Sequence, residues 1–158
     1  MENNKYKNLM SNIFIIVIII FAIFVYRKYD YNFYTKGIAE KGKTKFSRDS
    51  SEKYDNSRSY KVENKISNDA MFYREISVIP NTPYRITCMV KTKNVVGNDN
   101  DPTAGAQICL NGTEEHSEVI QGNTDWTKLE FMFNSKNNNK VQVGFRLGGV
   151  LNTAEGTA

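Results

Sequence analysis

Histidine occurs once in this chain, tryptophan once and cysteine twice. The shortage of histidine removes most of the material for hydrolytic chemistry. His116 stands alone in the polar run "NGTEEHSE", and no Gly-x-Ser-x-Gly or Cys–His pattern accompanies it. It reads as a surface residue. Cys88 and Cys109 are too few for a disulfide framework and wrongly spaced for a zinc site. Alanine is scarce beside abundant Asn and Lys, the composition of an AT-rich bacterial genome. Clustered positive charge is also missing. The net charge is only +4, with 21 basic against 17 acidic residues. Lys41, Lys43 and Lys45 sit singly, as on a solvated surface. Nucleic-acid binding needs a gathered basic face, so the sequence argues against a nucleic-acid partner.

One long apolar run is present. "IFIIVIIIFAIFVY" extends from Ile13 to Tyr26 without a charge. With Leu9 and Met10 the span is about 18 residues, just enough to cross a bilayer as a helix. Lys5 and Lys7 precede it, and Arg27 and Lys28 follow. A cleavable signal peptide would end in small residues, as in Ala-x-Ala. Here the run ends in "FVYRKY". The reading is an uncleaved signal anchor over residues 9–28, after a cytoplasmic segment 1–8. Positive charge on both flanks leaves its orientation open at this point.

Beyond a short linker at 29–31 the pattern becomes alternation of period two. "RSYKVEN", "FYREISV", "PYRITCMVKT", "GAQICLN", "WTKLEFMFN" and "KVQVGFRLG" each alternate β-branched or aromatic residues with polar ones. "IPNTP", "GNDNDPTAG", "NGTEEH", "QGNTD" and "SKNNN" separate them with turn chemistry. No segment after the anchor has a helical period. An all-β antiparallel sandwich of half-buried strands is expected. Alternation sends Tyr84, Ile86, Cys88 and Val90 inward. It does the same for Ala106, Ile108 and Leu110, for Leu129, Phe131 and Phe133, and for Val141, Val143, Phe145 and Leu147. Cys109 then faces away from the core and Cys88 faces it, so the two thiols are not joined.

"NDAMFYREISVIPNTPYRITCMVKTKNV" resembles a stretch of the jelly-roll carbohydrate-binding modules, the galactose-binding-like β-sandwiches. "GAQICL", "TDWTKLEFMFN" and "VQVGFRLG…GTA" follow in the family's order. The resemblance covers residues 32–158. It implies an extracytoplasmic domain acting on glycan or polysaccharide, with the amino end inside and the sandwich close to the lipid surface. In such modules the final Gly-x-Ala leads into a further strand. The expectation is therefore a jelly roll lacking its last strand, with an unpaired edge. The resemblance implies no cofactor beyond a structural calcium near the first and last strands.

The family holds its ligand on a concave sheet, by aromatic stacking and forked polar groups. Alternation turns Arg85 and Met89, Gln107, and Arg146 outward on the strands that match. These four are the candidate ligand-binding residues, expected on one sheet, with Tyr73 as a stacking ring. Met89 and Cys109 stand where a strong binder carries Trp or Tyr, which implies weak binding. Trp126 reads as core. Asp99 and Asp101 lack the length and terminal Glu of a calcium loop, and Asn111-Gly112-Thr113 is a short glycosylation pattern. The acidic residues fall mostly in turns, without the facing pair that glycoside cleavage needs. No catalytic or metal-binding residue is assigned. The expected function is non-catalytic glycan binding at the membrane surface. The alternative is a structural sandwich that positions a partner or a further domain.

If residues 10–26 form an uncleaved span, amino-terminal sequencing of the membrane-bound protein will read from the start of the chain. A mature terminus near Tyr29 would contradict the anchor.

Overall fold

A computed structural model describes residues 33–158. The anchor and linker expected from the sequence lie outside the described residues. Among the described residues no helix is long and apolar enough to cross a membrane.

The described residues form nine strands: β1 (Tyr34–Gly37), β2 (Thr44–Asp49), β3 (Ser59–Asn68), β4 (Ala70–Ser77), β5 (Pro83–Gly97), β6 (Gly105–Leu110), β7 (Gly122–Asn134), β8 (Lys140–Gly148) and β9 (Ala154–Thr157). They build two sheets. The smaller has the order β1-β4-β8-β6 and the larger β2-β3-β9-β5-β7. Every pairing is antiparallel. The only helical turn among the described residues is a short one at Asn98–Asn100.

The six alternating runs are β3 to β8, and their inward faces are those expected. Val62, Phe72, Val95 and Leu147 form one buried cluster. Val90, Ile108, Leu129 and Phe131 form a second. Phe145 and Ala158 pack against both. Full burial of one such side chain is worth roughly 1.5–3 kcal/mol, so the inward rows supply the main drive for sheet-on-sheet packing. Phe72 sits among aromatic edges, 5.0 Å from Phe46 and 5.2 Å from Tyr60.

The tail, Ala154–Thr157, is itself a strand and lies in the middle of the larger sheet. Ala158 extends it, exchanging two main-chain hydrogen bonds with Val62 of 2.8 and 3.0 Å. Gly156 makes the fit possible. Its φ of +117° is disfavoured for a side-chain-bearing residue, and a Cβ there would meet the Asn94 carbonyl at 2.6 Å.

Buried polar groups complete the joint between the sheets. Asn64 is 1% exposed. Its Nδ2 donates to the carbonyls of Asn68, Leu147 and Ala154, and its Oδ1 accepts from Thr44 at 2.5 Å. Asn68 in turn donates to Thr44 Oγ1 and the Glu40 carbonyl. One amide thereby links β2, β3, β8 and β9. Removing it leaves several carbonyls without their donor. Asn64→Ala should cost about 2–3 kcal/mol in denaturant unfolding, well above the effect of Ala at exposed Lys65. Equal effects would show that the network contributes little.

Candidate functional site

The outer face of the smaller sheet carries rows of side chains set by the strand register. Met71, Arg146 and Gln107 stand in one row, Tyr73, Gly144 and Cys109 in the next, and Glu75 and Gln142 beyond. Tyr34 on β1 lies opposite Tyr73. Its ring centre is 5.6 Å away and its plane is tilted by 32°. Tyr34 is 63% exposed, and Tyr73 is half-buried. Gly144 keeps the floor beside these rings low, because it brings no side chain to the centre of the row.

Two depressions open on this face. One, of about 500 Å³, has Lys36, Met71, Asp69 and Arg146 at its base and Val150–Thr153 on its rim. The other, of about 390 Å³, lies over Glu75, Lys140 and Gln142. Asn111 and Thr113 line both. Asn111 Nδ2 donates to Gln142 Oε1 at 2.6 Å, which presents two planar amides side by side. Leu151 on the rim is almost fully exposed.

The base of the first depression is a buried ion pair. Arg146 Nε donates to Asp69 Oδ1 at 2.6 Å and Nη2 to Oδ2, while Nη2 also reaches the Gly149 carbonyl at 2.6 Å. Burial raises the Asp69 carboxyl above its ordinary value, and the bonded Arg146 guanidinium opposes that rise. Gly148 makes room for the pair. Its φ is +141°, and a Cβ would sit 2.5 Å from Asp69 Oδ1.

The candidate residues do not all share this face. Tyr73, Gln107 and Arg146 point to it. Arg85 and Met89 lie on β5, opposite Met132 and Lys128, on the outer face of the other sheet. The expected single site is therefore split across the sandwich. The reason is topological: β5 pairs with β7 and β9, whereas β6 pairs with β8. Gln107 and Arg146 are outward by parity yet only 2% and 8% exposed. Gln107 Nε2 is committed to the Gly148 carbonyl at 2.7 Å. Both act as positioning groups beneath the depression. Trp126 is also corrected: it is half-buried beside Tyr54, with ring centres 6.0 Å apart, and not in the core.

Sequence reasoning missed Tyr34, Asp69 and Met71. β1 has only four residues and shows no alternation to find. Asp69 sits between two strands and reads as a turn residue.

The arrangement offers ring faces, amides and a few ion-paired ends. Glu75 is held by Lys140 at 2.8 Å and Glu115 by Lys136 at 2.8 Å. Among the described residues no three His, Cys, Asp or Glu groups gather as for a metal ion. His116 is exposed, its Nδ1 2.6 Å from the Ser117 carbonyl. Cys88 and Cys109 are both free, and burial pushes each thiol up to about 11. No protein-family model matches this sequence, and neither does any curated protein.

Breaking the buried pair from one side strands a charge. Arg146→Leu should destabilise the domain by about 3–5 kcal/mol. Arg146→Leu with Asp69→Leu should cost less than the single change. A double variant as unstable as the single one would show that packing, and not the stranded carboxylate, sets the loss.

Proposed function

We propose that this protein is a membrane-anchored, extracytoplasmic jelly-roll module that binds a glycan weakly and without catalysis. The outer face of the smaller sheet would carry the binding. The supporting observation is that the Tyr34–Tyr73 pair and the Asn111–Gln142 amides share this outer face. An exposed ring face stacks on the apolar face of a pyranose, and paired amides fork onto neighbouring hydroxyls. The extracytoplasmic placement rests on the apolar run at 9–28 and on the resemblance of residues 32–158.

Weak binding follows from the small number of uncommitted donors. Each hydrogen bond nets about 0.5–1.5 kcal/mol against water. A few of them with one ring give roughly −4 to −6 kcal/mol, or dissociation constants from high-micromolar to millimolar. The same observation favours the second reading. Arg146 and Gln107 are spent on internal bonds, as in a sandwich that serves only to position a partner.

A glycan array followed by calorimetry separates the two. Tyr73→Ala should lose about 1 kcal/mol, roughly fivefold in affinity. Arg85→Ala, on the opposite face, should bind like the parent. If Arg85→Ala alone weakens binding, the site belongs to the larger sheet. If no glycan binds, the positioning role stands in its place.

A further inference from the structure

The larger sheet ends at β7, whose one neighbour among the described strands is β5. From Thr127 to Asn134 the ladder with β5 is unbroken. Leu129, Phe131 and Phe133 point inward and are buried, while Lys128, Glu130 and Met132 are exposed on the outer face. β5 takes only half of the β7 main chain, because hydrogen-bonding groups in an antiparallel ladder face alternate neighbours. Ala158 bonds to Val62, so Thr157 faces Lys93 across the next ladder. Counting back along β5, Val90, Cys88 and Ile86 then face β7, opposite Thr127, Leu129 and Phe131. The N–H and C=O of Lys128, Glu130 and Met132 therefore point to the open edge. Trp126 agrees, for its N–H donates to Asp125 Oδ1 at 2.9 Å and not to β5.

We propose that β7 pairs edge to edge with β7 of a second copy of this chain, antiparallel, about a two-fold axis through Leu129. The strand is self-complementary in that register. Lys128 stands opposite Glu130 of the second copy, and Glu130 opposite its Lys128. Each couple exchanges main-chain hydrogen bonds as well as charge. Trp126 stands opposite Met132 of the second copy, so that a thioether meets a ring. Met132 is 67% exposed in the single copy. Neighbouring registers fit less well. An axis at Lys128 or at Glu130 sets like charges against each other. An axis at Phe131 puts Glu130 against Met132. One at Thr127 puts Glu130 against Thr124, past the irregularity between Val90 and Thr92. An axis between two residues sets inward side chains against outward ones.

Charge is what selects the chain itself as the partner. Edge strands are commonly guarded by a lysine, which repels a second copy. Here Lys128 is followed two residues on by Glu130, its ion-pair partner at 3.2 Å in the single copy. A Lys-x-Glu spacing matches itself when the strand is reversed, which a lone Lys does not. Thr127 to Asn134 holds no proline and no inward charge that would block a ladder. The axis stands normal to the sheet, so both smaller sheets turn their outer faces the same way. For the proposed glycan face this gathers two weak sites on one side of the pair, where linked binding exceeds either alone. The pairing itself does not rest on that reading.

The test is sedimentation of the full chain in detergent micelles across a concentration series. The apolar run at 9–28 is the same in every variant, so association through it does not follow the charges. The parent should form a dimer. Lys128→Glu and Glu130→Lys should each weaken it by about tenfold, because two attractive couples become repulsive. An equal mixture of the two variants should restore it, since the Glu-x-Glu strand of one then faces the Lys-x-Lys strand of the other. Amide exchange at Lys128 and Glu130 should slow with concentration in the parent and in the mixture, and not in either variant alone. Both side chains are exposed, so each variant should melt close to the parent. A parent that stays monomeric throughout, or a dimer indifferent to both charge reversals, would overturn the proposal. So would a mixture that associates no better than the separate variants.

Discussion

The carboxamide of Asn64 is the joint on which the two sheets hinge. β3 and β9 lose register between Asn64 and Asn68, and a break in a ladder leaves main-chain groups without strand partners. Asn64 takes up that role from inside. It spans the break to Asn68, holds Ala154 at the start of β9, and reaches Leu147 on the opposite sheet. An apolar residue could fill the space but could not donate to three carbonyls. A buried amide is tolerated only when nearly all its bonds are made, and here the network is closed by Thr44 and Asn68. The position of β9 in the larger sheet follows from this amide.

The same logic shapes the smaller sheet. Its outer face is not a uniform solvated surface, because the Asp69–Arg146 pair and Gln107 draw the turn at Gly148–Gly149 down onto one end. That end becomes a walled depression. The other end stays open around Tyr34 and Tyr73. Gly144 on β8, next to Tyr73, leaves the floor shallow. An ion pair of this kind adds little net stability against an apolar equivalent. It does fix the direction in which a turn leaves the sheet, and here that direction forms the wall of the candidate site.

Much of the sandwich was legible in the sequence. Six runs with clean alternation became β3 to β8, and their inward residues became the two core clusters. Alternation carries that much because a half-buried strand must repeat every two residues. It does not say which strands are neighbours. Arg85 and Arg146 have the same parity relative to the core and yet lie on opposite outer faces, since outward means a different direction on each sheet. Nor does parity report covering by loops, which is why Gln107 points outward and is buried. β1 and β9 are too short to show a period. Trp126 follows its parity to the outer face, where a strand-opening aromatic looks in sequence like a core residue.

The two outer faces differ in what their aromatic groups can offer. Tyr34 and Tyr73 lie over a completed sheet, whose main-chain groups are already paired beneath them. Only side chains are left to meet a ligand there, and recognition has to come from ring faces and amides. Tyr54 and Trp126 meet edge to face on the outer side of the larger sheet, beside Lys91, whose charge is already held by Glu52 and Asp125. That face offers ring edges and paired charges, where the smaller sheet offers ring faces and amides.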